Sequence, residues 1–188
     1  MIKFNLILLC LITKHFFCTA DKLNNFDKEM GFGGWSISKQ LYDYILTILE
    51  PGKTILELGS GSGSEELAKV FEVFSIEHDK TWLNKYPVNY IYAPIVDGWY
   101  DLEILKEQIP EKYDLIIVDG PTGTIGRYGF FSNLELFNTD LPIIIDDVNR
   151  AEEFRLMNDT ANYLKRKPVV LNAEGKKQFG IILPNTNN

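Results

Sequence analysis

Apolar and polar positions fall into short alternating blocks along the chain, and the blocks predict a strand–helix repeat. Apolar runs mark strands at 54–58, 73–77, 89–93, 113–118 and 141–145, with helical segments around 64–71, 80–86, 101–108 and 151–165. Runs such as Leu115–Val118 and Ile143–Ile145 are apolar at every position. Such runs suit strands buried on both faces of a parallel sheet. Ahead of the first strand, Leu41, Ile45, Ile48 and Leu49 share one helical face, with Ser36 or Ser38 as the cap and Pro51-Gly52 as the stop. In the helix after 150, Phe154, Met157, Ala161 and Leu164 lie on one side at core spacing. The ending differs: 169–173 and 178–183 are apolar around Glu174-Gly175, which reads as a hairpin.

Length adds one domain, since 188 residues is a natural single unit. The 45% hydrophobic and 13% aromatic content is enough for a sizeable core. A net charge of −7 argues against nonspecific nucleic-acid binding, which needs a basic surface to release counterions. The clusters Lys165–Lys167 and Lys176-Lys177 flank strands and read as solvated ends. Residues 1–20 stand apart: Lys3 precedes the apolar run Leu6–Ile12, and Cys18-Thr19-Ala20 offers small residues before Asp21. That outline fits a signal peptide or anchor, the one segment through which the chain would meet a membrane. An amphipathic helix covering the domain, or a start codon read upstream of the true one, fits it as well. Both cysteines, Cys10 and Cys18, lie in this segment, so the rest carries no thiol chemistry. The division read is a leader at 1–20, a linker at 21–35, one domain at 36–184 and a polar tail at 185–188.

Candidate chemistry starts where the first strand ends. Glu57 is followed by glycines at 59, 61 and 63, and then by helix formers from Glu65. Strand, glycine loop and helix at the carboxyl edge of a parallel sheet form the usual seat of a nucleotide-like cofactor. The dinucleotide pattern G-x-G-x-x-G would need glycine at 64, where Ser64 stands. A phosphate-binding loop would need Gly-Lys-Ser/Thr, and no lysine follows before Lys69. The next strand ends at Glu77, eighteen positions after Gly59, where a carboxylate can accept from both ribose hydroxyls of an adenosine. Asp79 competes for that role.

The E-x-G-x-G-x-G arrangement of Glu57, Gly59, Gly61 and Gly63, with Glu77 after the second strand, resembles the first motifs of class I S-adenosylmethionine-dependent methyltransferases. The resemblance implies an α/β fold: a Rossmann-like, seven-stranded, mostly parallel sheet with a C-terminal antiparallel hairpin strand and helices on both faces. It implies S-adenosylmethionine as cofactor, bound through Glu57, Gly59, Gly61, Gly63, Glu77 and Asp119. A nicotinamide enzyme shares the ribose device but would carry a further substrate domain, for which the chain leaves no room. A silent cofactor-binding or carbohydrate-associated module is the alternative without catalysis. Cytosolic supply of the methyl donor favours the cytoplasm, while the leader keeps export or anchoring open.

The fourth and fifth strands end in acids, Asp119 before Gly120-Pro121 and then Asp146-Asp147 before Val148. Adjacent strands lie about 4.8 Å apart, so these carboxylates can converge. Three oxygen ligands without histidine suit Mg²⁺, Mn²⁺ or Ca²⁺ rather than zinc. The order resembles that of catechol-type O-methyltransferases, which bind a divalent metal there. This chain departs from them with Asp147 in place of asparagine and Thr122 in place of a catalytic lysine. Asp119-Gly-Pro, Gly126-Arg127 and Asp147–Arg150 resemble the glucuronoxylan 4-O-methyltransferases of plants and their bacterial relatives, in which a histidine commonly stands at the place of Asp146. These resemblances imply methyl transfer to a hydroxyl of a sugar or other small molecule. Asp119 and Asp147 become catalytic candidates, Asp119, Asp146 and Asp147 metal candidates, and Arg127 and Arg150 substrate candidates. Plainer roles stay open: Asp119 as a holder of the turn, Asp147 or Asn149 as a helix cap, and the arginines as ion-pair partners. His78 reads as cofactor-side packing or a solvated position.

Overall fold

The computed structural model describes Phe32 and residues 35–185. The leader at 1–20, most of the linker before residue 36 and the end of the polar tail lie outside the described residues. Among the described residues no helix is long and apolar enough to cross a membrane.

The chain runs α1 (Lys39–Ile48), β1 (Thr54–Leu58), α2 (Ser62–Ala68), β2 (Glu72–Glu77), β3 (Asn89–Tyr92), β4 (Ile95–Val96), β5 (Trp99–Tyr100), α3 (Leu102–Gln108), β6 (Leu115–Val118), α4 (Gly129–Ser132), β7 (Ile143–Ile145), α5 (Ala151–Tyr163), β8 (Pro168–Asn172) and β9 (Gln178–Ile182). Seven strands form one sheet in the order β3-β2-β1-β6-β7-β9-β8. The first five are parallel, and β9 pairs antiparallel with both β7 and β8. This is the Rossmann-like sheet with a C-terminal antiparallel hairpin that the sequence implied. The order turns back between β1 and β6, and ligands of open α/β sheets bind at that switch.

The apolar runs are continuous because both faces are covered. Leu56, Leu58, Ile116, Val118, Ile143 and Ile145 face one core, shared with Leu105 of α3, Phe130 of α4 and Leu156 and Met157 of α5. Their neighbours Ile55, Leu115, Ile117 and Ile144 face the other, against Leu41 and Ile45 of α1 and Leu67 of α2. Successive strand residues point to opposite faces, so one run serves two cores. Each such side chain, buried in full, contributes about 1.5–3 kcal/mol.

Local chemistry sets the helix starts. Ser38, not Ser36, caps α1, its hydroxyl accepting from Leu41 N at 3.1 Å. The segment read as a helix at 80–86 is a single 3₁₀ turn, Lys80–Trp82, capped by Asp79. Asn84 takes a positive φ of 60° and Pro87 follows, so the turn cannot propagate. In α5 the core side carries Leu156, Met157, Thr160 and Ala161, whereas Phe154 is exposed. The expected face is therefore rotated. The hairpin of β4 and β5 was not read from the pattern, although Asp97-Gly98 between them, both at positive φ, is a turn signature of that kind.

Candidate functional site

The carboxyl ends of β1, β2, β6 and β7 open on one cleft of about 590 Å³, within the range of small-molecule sites. Its walls include Gly59, Ser60, Glu77, Asp119, Arg127, Asp147, Arg150 and Lys177, with Trp35 and Trp82 at the sides.

On the β1–β2 side, backbone is packed against backbone. Gly59 has φ of +91°, and a Cβ there would stand 2.8 Å from Gly120 Cα. The loops after β1 and β6 therefore touch through two glycines. A Cβ at Gly61 would run into the carbonyl of Trp35, and one at Gly63 would meet Ile37 Cγ1 at 2.6 Å. These two glycines let the segment before α1 lie on the loop, and neither lines the cleft. Glu57 is also behind the wall. Its Oε2 accepts from Ser64 Oγ at 2.7 Å and Ser75 Oγ at 2.8 Å, and Ser64 Oγ accepts in turn from Gly61 N at 3.0 Å. Burial outweighs both hydroxyl donors and pushes the Glu57 carboxyl up to about 8. Ser64, the residue that breaks the dinucleotide pattern, thus links the acid to the loop.

Glu77 does reach the cleft. Its Oε2 accepts from Ser60 N at 3.0 Å, and its Oε1 from His78 N and Asp79 N at 2.7 Å each. A carboxylate has about four lone-pair sites; three are taken by main chain, His78 Nδ1 stands 3.0 Å from Oε1, and one place is left on Oε2. Asp79 turns instead to Thr81 N at 2.8 Å, which holds its carboxyl below the usual range. His78 lines the cleft edge-on to Tyr100, with centroids 6.2 Å apart.

On the β6–β7 side the groups are charged. Arg127 is buried, and its Nη2 donates to Asp119 Oδ1 at 2.9 Å and Asp147 Oδ2 at 3.1 Å. Its Nη1 donates to the carbonyl of Asp146 at 3.0 Å. The guanidinium, a substrate candidate from sequence, clasps the two strand ends together. Arg150 stays half exposed, with Nη1 3.1 Å from Asp147 Oδ2. Asp147 adopts a positive φ of 60° and is not a helix cap: Arg150 occupies the cap position of α5 without a side-chain bond. Asn149 Oδ1 accepts from Gln178 N at 3.1 Å, which ties this turn to β9.

Lys177 corrects the reading of Lys176-Lys177 as solvated ends. Its Nζ donates to Ser36 O at 2.9 Å and Asp146 Oδ2 at 3.2 Å, and stands 3.6 Å from Asp147 Oδ1. No local pattern could have shown this, because the partners are 141 and 31 residues away.

The metal candidates do converge, with one carboxylate oxygen of Asp119, Asp146 and Asp147 within 4.8 Å of the others. Asp146 is buried at 1% exposure and does not line the cleft, whereas Asp119 keeps 20% and does. Burial, then the neighbouring Asp146 charge, pushes the Asp119 carboxyl up to about 7, against the pull of Arg127 and Lys177. Burial likewise raises Asp146. A carboxyl set near neutrality and open to a cleft can take a proton there.

No family model matches the chain. A segment of 81 residues is 36% identical to the histidinol-phosphate aminotransferases of two Staphylococcus epidermidis strains, covering 40% of this chain and 22% of those enzymes. The chain thus spans about a fifth of the length of the curated relatives it matches. Likeness to solved structures is broader. A provisionally named caffeoyl-CoA O-methyltransferase from Staphylococcus aureus superposes with a TM-score of 0.53 at 17% identity, over 94% of this chain and 97% of that one. A Pyrococcus furiosus methyltransferase gives 0.52 at 15% identity over 76% and 80%. A methyltransferase-like protein from Silicibacter pomeroyi gives 0.50 at 18% over 81% and 89%. At these identities the likeness shows architecture, and the architecture is the class I S-adenosylmethionine-dependent methyltransferase fold.

Proposed function

We propose that the chain transfers a methyl group from S-adenosylmethionine to a hydroxyl oxygen of a sugar or other small molecule. One observation carries the reading: in a methyltransferase fold, Glu77 and Asp119 open on the same cleft, on either side of the Gly59–Gly120 contact. The residues fit the cofactor. The main chain at Gly59 and Ser60 is approachable, and the free lone pair of Glu77 suits a ribose hydroxyl. Glu57, Gly61 and Gly63 support that surface from behind. The cofactor supplies an electrophilic methyl carbon.

The protein then has to align the acceptor oxygen, exclude water and receive the hydroxyl proton. Trp35 and Trp82 wall the cleft, and Asp119 Oδ is the proton acceptor, with Asp147 holding Arg127 against it. Arg150, half exposed at the rim, is the acceptor's contact, a guanidinium fork being suited to planar oxygen groups. The motif likeness to glucuronoxylan 4-O-methyltransferases supports a sugar hydroxyl, and the net charge of −7 speaks for a small or glycan acceptor over a nucleic acid. The three acids offer a donor set for Mg²⁺ or Mn²⁺, but Arg127, Arg150 and Lys177 already stand on them, so no step passes through a metal.

Isothermal titration with S-adenosylmethionine and with NAD tests the cofactor, followed by an acceptor screen with labelled methyl donor. Binding of S-adenosylmethionine and label in a hydroxylated acceptor is the expected result. Binding of NAD alone would overturn the reading, and binding without turnover on any acceptor would leave a silent module.

A further inference from the structure

Lys177 is a charged residue of the cleft that the proposed reaction does not use. It comes from the turn between β8 and β9, and its ammonium reaches the ends of β6 and β7. There it bonds Asp146 Oδ2 at 3.2 Å and Ser36 O at 2.9 Å, with Asp147 Oδ1 at 3.6 Å. Around the same point, carboxylate oxygens of Asp119, Asp146 and Asp147 lie within 4.8 Å of one another.

Three acids this close repel in a medium of low dielectric, and some cation has to answer them. A divalent metal is one answer and fixed side chains are another. The structure supplies three of the latter: Arg127 on Asp119 and Asp147, Arg150 on Asp147, and Lys177 on Asp146 and Asp147. Three formal negative charges therefore meet three positive ones. We infer that the Lys177 ammonium holds the place a divalent cation would take among Asp119, Asp146 and Asp147, so that this site binds no divalent metal and works on protein charge alone. A metal entering there would stand at contact range from the buried Arg127 and the partly buried Lys177, and it would have to shed water for oxygens already bonded. It would also have to displace an ammonium that has a second anchor, the carbonyl of Ser36.

The inference concerns the site of the proposed reaction but is read through metal occupancy, so its failure leaves methyl transfer standing. Full-length protein, stripped with chelator and dialysed, is titrated with MnCl₂, and bound Mn²⁺ is counted from loss of the free-ion electron paramagnetic resonance signal. Wild type and K177R should show no stoichiometric site tighter than about 1 mM. K177M should gain one site, tighter by more than about tenfold, because the acids keep their charge and lose their counterion. K177M/D146N should lose it again. A wild-type Mn²⁺ site that D146N removes would overturn the inference, and so would a folded K177M that takes up no Mn²⁺. If circular dichroism shows K177M unfolded, the wild-type and D146N titrations decide: an Asp146-dependent site overturns the inference, and its absence upholds it.

Discussion

The two sides of the cleft hold their acids by different means. Beside β1 and β2, Glu57 and Glu77 are held by neutral donors, the hydroxyls of Ser64 and Ser75 and the main-chain N–H groups of Ser60, His78 and Asp79. Beside β6 and β7, Asp119, Asp146 and Asp147 are held by Arg127, Arg150 and Lys177. The first arrangement is short-range, spans residues 57–79 and depends on backbone approach. The second gathers side chains from three loops and depends on charge. A surface that must fit a ligand's shape benefits from the first, and a site that must move a proton benefits from the second.

The backbone side should break most sharply at Gly59. Gly59→Val puts a β-branched residue at φ of +91° against the backbone of Gly120. Strain and overpacking together should lower stability by about 4 kcal/mol and abolish methyl-donor binding. Urea unfolding and calorimetric titration read both, and a variant that folds and binds as wild type would remove the close approach from the argument.

On the charged side, Asp119→Asn should reduce turnover by roughly 10²–10⁴-fold while leaving S-adenosylmethionine affinity within about twofold. Wild-type turnover should rise with pH through about 7, as the raised Asp119 carboxyl loses its proton and becomes a base. Full activity of the asparagine variant would move the chemistry elsewhere in the cleft.

Glu77→Ala should weaken the methyl donor by about 1.5–3 kcal/mol with little change in maximal rate. The opposite pattern, with Asp79→Ala the damaging change, would show that the wrong acid carries the ribose contact.

A pH-dependent effect concerns Glu57, whose carboxyl burial pushes up from about 4.5 to about 8 on folding. A carboxyl raised on folding stabilises the protein in full below pH 4.5, and that contribution is lost as pH climbs towards 8. Glu57→Gln should flatten part of the fall in urea midpoint across this window, with Asp119 and Asp146 keeping the rest. An unchanged slope would exclude Glu57 burial as a cause.

Most of the sheet could be read from the chain, because each buried strand is a continuous apolar run of its own. What was misread follows from the same logic. Phe154 has core spacing, but spacing alone does not say which neighbouring residue of a helix meets the sheet, and Leu156 does so here. The glycine loop was recognised from its pattern, yet the sequence could not say that Gly61 and Gly63 face the segment before α1 while Gly59 faces Gly120.

By itself the sequence determined the order of the main sheet strands, the antiparallel ending, the glycine loop and the acids at the strand ends. These rest on interactions between near neighbours, or on burial that any covering layer provides. Only the tertiary structure decided which cations meet those acids. Arg127 became a clasp and Lys177 an internal counterion because folding brings residues 36, 119, 127, 146 and 177 to one point. Charge acts through space rather than along the chain, so a lysine beside a hairpin turn looks solvated until the opposing carboxylate is placed.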